Sequence, residues 1–216
     1  MHGYIDNKTF PIRKTAAKMS LLKKQKVKGH LRKKTESLNP ECVRPKVQRK
    51  GIGVPSVELT MCVSPSAGRV IMTHVASAPK KKWNGEAAKL MYEKPLAAAL
   101  KRVYGDLSFY RIVEDGDPSG YQSKKGKAGK RNAKIRSWQL PPRTPEWNPL
   151  DYSIWNTIET KAYESSDPPH TRKSWVATLR KVARGLSKKY IKDTCASMKG
   201  RIEKTHKAKG QHIKGD

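Results

Sequence analysis

The sequence is poor in acidic residues, in phenylalanine and in cysteine. Asp and Glu together number 18 against 47 Lys and Arg, which gives a formal net charge of +29 at pH 7. Such a surplus suits a polyanionic partner, because each phosphate that a cation neutralises releases condensed counterions. The cysteines Cys42, Cys62 and Cys195 show no CxxC spacing, so the pattern predicts reduced thiols and no zinc site.

Long apolar runs are also missing. No stretch approaches the roughly 18 apolar residues that a membrane span requires, and the start MHGYIDNKTF has no apolar signal core. We therefore expect neither membrane association nor secretion. Hydrophobic residues still make up 36% of the chain, with 5 Trp, 8 Tyr and 2 Phe, which is enough for a modest core.

Composition divides the chain into five segments. Residues 1–10 contain a strand candidate, and residues 11–52 carry 14 Lys or Arg against two Glu, which predicts a basic, flexible insertion. The globular pattern runs through residues 53–165. Helical patterns over 166–206 are expected to pack on that core, and residues 207–216 form a frayed tail.

The globular part predicts alternating strands and helices. VELTMCVS (57–64) and RVIMTHVA (69–76) flank a turn and read as a hairpin. Residues 85–105 are helical in composition, with Pro95 placed to open a second helical piece, and FYRIV (109–113) reads as a strand. The basic stretch KKGKAGKRNAKIRS predicts a helix, and WQL a short strand. Three apolar stripes predict further helices: Leu150, Ile154 and Ile158; Trp175, Leu179, Val182 and Leu186; Ile191, Cys195, Met198 and Ile202.

Four aspartates stand where carboxylates often have a structural role. Asp151 suits the third position of a helix that Asn148 caps, whereas Asp115 and Asp117 suit a turn and Asp6 a strand end. Their order along the chain indicates more. An acid ending the first strand, another ending a later strand and a third beginning a helix suit a ribonuclease H-like α/β layout, a mixed sheet flanked by helices. Converging carboxylates would suit Mg²⁺ or Mn²⁺.

Two stretches carry a family resemblance, IVEDGDPSGYQS (112–123) and LPPRTPEWNPLDYSIW (140–155). They resemble the catalytic half of mariner-type DDE transposases, where a strand ends in an Asp within a D-x-x-P turn and a proline-rich segment precedes the third acid. Here 35 residues separate Asp115 from Asp151. YIDNKTF resembles the first catalytic strand of that family, which places the first acid at Asp6.

The resemblance implies an activity and a site. It implies metal-dependent cleavage of phosphodiester bonds and strand transfer on DNA, in the nucleus, with a homodimer possible and no small-molecule cofactor. Asp6, Asp115 and Asp151 would be the catalytic acids and the ligands of two Mg²⁺ or Mn²⁺ ions about 4 Å apart. Asp117 is the rival to Asp115 as the second ligand.

The chain departs from the family pattern at Asn7, at Gly116 and in PSGYQS, where the usual histidine is absent. It begins just before the first acid, so we expect the family's N-terminal helix-turn-helix region to be missing and the domain to be truncated or degenerate. Two alternatives stay open. One is a catalytically inactive DNA-binding protein derived from a transposase, and the other a basic structural protein of ribosome or chromatin type.

Basic side chains next to the predicted site are candidates for contact with a DNA backbone. Phosphate contacts position a protein without reading sequence. The candidates are Lys124, Lys125, Lys127, Lys130, Arg131 and Arg143. Nothing in the chain resembles a Ser–His–Asp set, a P-loop or a dinucleotide fingerprint.

Overall fold

The computed structural model describes residues 2–11, 56–75, 83–105, 110–142, 144–164 and 171–209. The predicted basic insertion, most of the predicted tail and Arg143 lie outside these residues.

The described part of the chain contains a mixed five-stranded sheet with the order β3-β2-β1-β4-β5. The strands are β1 (His2–Pro11), β2 (Ser56–Ser64), β3 (Arg69–Val75), β4 (Arg111–Glu114) and β5 (Arg136–Gln139). Strand β2 is antiparallel to both β1 and β3, whereas β4 runs parallel to β1 and β5 parallel to β4. Strands β1, β4 and β5 therefore run in the same direction, and β4 and β5 end at the same edge of the sheet.

The predicted hairpin is confirmed. Strands β2 and β3 pair in register from Leu59 opposite Val75 to Ser64 opposite Arg69, with a bulge near Cys62. The turn between them ends at Gly68, whose φ of 61° lies in the left-handed region that glycine adopts without steric cost.

Seven α-helices are present in the described ranges. They are α1 (Gly85–Met91), α2 (Ala97–Tyr104), α3 (Lys124–Asn132), α4 (Trp155–Tyr163), α5 (Arg172–Arg184), α6 (Lys188–Ala196) and α7 (Met198–Lys207). Wider π-helical turns join α1 to α2 at Tyr92–Leu96 and precede α4 at Leu150–Ile154. A short 3₁₀ turn, Pro145–Trp147, comes before the second of these.

Two helix boundaries differ from the prediction. Pro95 does not open a new helix, because it lies inside the π-helical turn, where the altered hydrogen-bond spacing accommodates a residue without an N–H. The stripe from Ile191 to Ile202 belongs to two helices, since the chain turns at Ser197. The hydroxyl of Ser197 donates to the carbonyl of Thr194 at that turn.

Apolar side chains fill both faces of the sheet. Alternate residues of β1 point to opposite faces, so Tyr4 and Phe10 pack with Trp155 and Trp175 under α4 to α6. Ile5 packs on the other face with residues of α1 and α2. None of the helices in the described ranges is long and apolar enough to cross a membrane.

Candidate active site

Asp6 lies in the middle of β1, which corrects the prediction that it ends the first strand. Strand β1 continues to Pro11 because β2 pairs with it along its whole second half. Pairing with β4, in contrast, stops at Tyr4 opposite Val113. Asp6 is two residues beyond Tyr4 and Asp115 is two residues beyond Val113, so the register brings the two acids side by side on one face of the sheet.

The carboxyl group of Asp6 is buried, with 6% of the residue exposed. Its Oδ2 accepts a hydrogen bond of 2.6 Å from Nε1 of Trp155, the first residue of α4. The carboxyl group of Asp151 lies close enough for its charge to act on Asp6. Burial, and then the charge of Asp151, raise the pKa of Asp6 well above its ordinary value, although the bond from Trp155 acts in the opposite direction.

Asp151 is more than a helix-capping residue. Asn148 begins the helix, since its Oδ1 accepts from the backbone N–H of Leu150 at 3.1 Å. The side chain of Asp151 instead meets Asp6 across the gap between helix and sheet. Much of the residue is open to solvent, but partial burial of its carboxyl raises the pKa of Asp151, with a further contribution from the charge of Asp115.

The structure separates Asp115 from its rival Asp117. Both oxygens of Asp117 are used by protein donors: Oδ2 accepts from Nε1 of Trp83 at 2.7 Å, and Oδ1 accepts from the backbone and hydroxyl of Ser119. Asp115 accepts one backbone hydrogen bond, from Asp117. Its charge also reaches both other acids, raising the pKa of Asp6 and of Asp151. Of Asp115 and Asp117, Asp115 is therefore the residue whose charge acts on both Asp6 and Asp151.

A cavity of about 350 Å³ opens between the ends of strands β4 and β5 and the start of the π-helical turn Leu150–Ile154. Asp115, Asp117 and Asp151 line it, together with Asn148 and the proline-rich segment that follows β5. Within the described ranges, no group of three His, Cys, Asp or Glu side chains has the arrangement of a metal site. The three acids are near enough for the charge of Asp115 to act on both Asp6 and Asp151.

Glu114 faces away from this cavity, as its position next to Asp115 on a strand predicts. It is fully buried and accepts hydrogen bonds from Tyr92, Gln122 and Lys130. Burial raises the pKa of Glu114, and the ammonium group of Lys130 opposes that rise without cancelling it. The cluster ties helix α3 to the strand that carries Asp115.

Lys130 does not fit the predicted set of DNA contacts. Its ammonium group pairs with Glu114 and donates to Ser137 at 3.1 Å, and only 9% of its side chain is exposed. A charge held in this way is not available to a phosphate on the surface. Lys130 is instead a structural cation beneath helix α3.

The other basic residues of helix α3 are exposed. Lys124, Lys127 and Arg131 follow each other at spacings of three and four, which places them on one side of the helix. They line a shallow cavity of about 610 Å³ beside β5. Lys125 is exposed as well, but it forms an ion pair with Glu86 of helix α1.

Trp155 and Asn148 were not among the predicted site residues. Trp155 stands four positions after Asp151, a spacing that puts both on one side of a helix, so its proximity could have been foreseen. That its indole would reach Asp6 could not, because 149 positions separate the two residues in the chain.

The strand order, with β2 antiparallel, one acid within β1 and another directly after β4, is that of a ribonuclease H-like fold, as predicted. No protein-family model matches the chain, and no curated protein matches it. Solved structures do. The catalytic domain of Mos1 mariner transposase superposes with a TM-score of 0.69 at 13% identity, covering 99% of this chain and 84% of that one. The same domain with raltegravir and manganese gives a TM-score of 0.70 at 12% identity.

The fold of this chain is similar to that of the Mos1 catalytic domain over 99% of its length. The Mos1 transposase chain of the paired-end complex with the left transposon end also matches, with a TM-score of 0.70 at 12% identity. Our chain spans 56% of that chain. At such identities the likeness establishes the fold, and the chemistry has to be argued from the residues of the site.

Proposed function

We propose that this chain is the catalytic domain of a mariner-type DDE transposase, which cleaves and joins DNA phosphodiester bonds using divalent metal ions. The observation that carries the proposal is the convergence of Asp6, Asp115 and Asp151. They come from β1, from the residue after β4 and from the π-helical turn before α4, and the charges of Asp115 and Asp151 both act on Asp6. A structural protein with acids only in turns and caps would have no reason to assemble them.

The residues fit a pair of Mg²⁺ or Mn²⁺ ions by their chemistry. Carboxylate oxygens are the hard ligands that these ions prefer, and Asp6, Asp115 and Asp151 would hold them. The charge of Asp151 raises the pKa of Asp6, and a divalent cation between the two carboxyls would favour the ionised form of both. When bound, such ions activate a water or a 3′-hydroxyl and stabilise the leaving oxygen. Solved structures of Mos1 include complexes with manganese and with magnesium.

The residues around the acids hold them in place. Trp155 orients the carboxyl group of Asp6 through its 2.6 Å hydrogen bond, and the backbone N–H of Asp117 does the same for Asp115 at 3.1 Å. Asn148 begins the turn from which Asp151 projects. Rigid support of this kind keeps catalytic groups within the small tolerance that phosphoryl chemistry allows.

DNA is the partner that the surface charge supports. Lys124, Lys127 and Arg131 form an exposed basic row beside β5, and such a row can hold a phosphate backbone without reading its sequence. The Mos1 neighbours include a paired-end complex with a transposon end and a strand transfer complex. Nuclear location and a homodimer belong to the same proposal and follow from the family resemblance. A phosphate contact from Arg143 is proposed from its place in the sequence, directly after two prolines and eight residues before Asp151.

The test is nicking of supercoiled plasmid by the purified protein in Mn²⁺. The parent chain should nick, EDTA should abolish the activity, and Asp115→Asn should lower the rate by at least about a hundredfold, the scale of removing a group that stabilises the transition state. Asp193→Asn is the matched control, since Asp193 is an exposed residue of helix α6 that pairs with Lys189. A parent and an Asp115→Asn variant that nick at the same rate would refute the proposed site.

A catalytically inactive DNA-binding protein is the second candidate. The observation in its favour is that the described acids do not already form the arrangement of a metal site, while the basic row of helix α3 is intact. Calorimetric titration with Mn²⁺ separates the two. Retention of DNA in a gel shift, with no nicking and no Mn²⁺ binding that depends on Asp115, would establish the second candidate.

A further inference from the structure

The side-chain amide of Asn148 uses its oxygen in a hydrogen bond, whereas its nitrogen has no partner among the described residues. The residue is buried, with 1% of its surface exposed. Its Oδ1 accepts from the N–H of Leu150, which can only donate, so the oxygen and nitrogen of the amide cannot be exchanged. Its Nδ2 has no hydrogen-bond partner among the described residues. A buried donor without a hydrogen-bond partner is unfavourable, and such groups are rare in native proteins.

The free donor belongs to a residue that lines the cavity between Asp115 and Asp151. The described lining contains several prolines, which have no backbone N–H to offer, and it contains no Lys or Arg. Thr144, another lining residue with a donor, already donates its hydroxyl hydrogen to the carbonyl of Pro141 at 2.7 Å. Gln139, whose exposed amide lies beside Gly116, also lines the cavity. A phosphate entering there would therefore meet two side-chain amides, of which that of Asn148 is buried and fixed in orientation.

We propose that Asn148 is a substrate-binding residue whose Nδ2 donates a hydrogen bond to a non-bridging oxygen of the phosphodiester held in this cavity. The inference rests on the proposed function and adds the group that holds the substrate. The geometry makes the amide well suited to this task. Its orientation is set by Leu150, at the start of the same turn that carries Asp151, so the donor and the acid keep a constant relation to each other. A neutral donor also leaves the charge balance of the acids unchanged.

Two substitutions separate donation from capping. In Asn148→Asp an acceptor replaces the donor while the helix cap is retained, and Asn148→Ser keeps a capping hydroxyl without adding charge. Asn148→Ser should unfold near the wild-type midpoint, whereas Asn148→Asp places a carboxylate at a buried position and should unfold earlier. Both should nick plasmid roughly tenfold to a hundredfold more slowly, the loss expected for one hydrogen bond to a charged group. Asn156→Asp is the control on the exposed side of helix α4, and its rate should stay within about twofold of wild type.

A second readout does not depend on activity. In the ¹⁵N-labelled protein, the side-chain amide of Asn148 is identified by its disappearance in Asn148→Asp, and a short duplex oligonucleotide is added in Mg²⁺. A downfield shift of that amide proton supports the inference. Backbone shifts at Gly116 and Leu140 with no shift of the amide would overturn it, because DNA would then occupy the cavity without using Asn148. Wild-type nicking by both variants would also overturn it. No shifts at any cavity residue and no nicking by the parent would remove the proposed function itself.

Discussion

Replacing Lys130 and Lys127 separately by methionine tests whether the buried lysine stabilises the fold and the exposed one binds DNA. Lys130 pairs with a Glu114 that has no exposed side-chain surface, whereas Lys127 is open to solvent three residues earlier in helix α3. Methionine keeps most of the aliphatic stem in both cases and removes the charge. The sequence alone offers no distinction between the two positions.

The structure sets the size of the effect. Removing one partner of a buried ion pair leaves an uncompensated charge and costs about 3–5 kcal/mol. For a chain of this length each kcal/mol corresponds to about 2–4 °C, so Lys130→Met should lower the unfolding midpoint by roughly 6–20 °C. Lys127→Met, an exposed change, should stay within about 0.5 kcal/mol of wild type. The double variant Glu114→Gln, Lys130→Met should recover most of the loss, because neither charge is left buried and unpaired.

Urea unfolding and the salt dependence of DNA binding are the two assays. Lys127→Met should reduce the slope of log affinity against log salt by about one, as expected for the loss of one phosphate contact, and folded Lys130→Met should leave that slope unchanged. The reasoning fails if Lys130→Met is as stable as the parent chain. It also fails if Lys130→Met lowers the salt slope as much as Lys127→Met does.

Two further predictions concern packing around the site. Gly126→Ala should destabilise the fold by about 1–3 kcal/mol in urea unfolding, because the added Cβ would meet the carbonyl oxygens of Gly120 and Tyr121. At Gly200 an added Cβ meets open space, so Gly200→Ala should stabilise helix α7 by up to about 1 kcal/mol. In urea unfolding, Trp155→Phe should lower the free energy of unfolding by about 1.5–3 kcal/mol more than Trp175→Phe does. Both indoles are buried, but among the described residues only that of Trp155 donates to a carboxyl group. Equal losses would mean that this hydrogen bond contributes little to stability.

Local patterns predicted a large part of the fold. The β2–β3 hairpin and the apolar stripes of the later helices depend on spacing within a few residues, and the structure confirms them. Helix boundaries were less predictable. Pro95 indicated a break, yet a π-helical turn absorbs it, and the break at Ser197 has no strong residue signal. Both outcomes depend on how a turn packs against its neighbours, which a periodicity does not contain.

The sequence by itself determined where the candidate acids stand along the chain. Asp115 follows an apolar run in a turn motif, and Asp151 follows a proline at the start of a helical pattern, and both are properties of contiguous residues. Only the tertiary structure decided what those acids touch. Asp6 meets Trp155 and Asp151, Lys130 is drawn beneath a helix, and Asn148 keeps a free donor, because the burial of a side chain depends on elements that lie far away in the sequence.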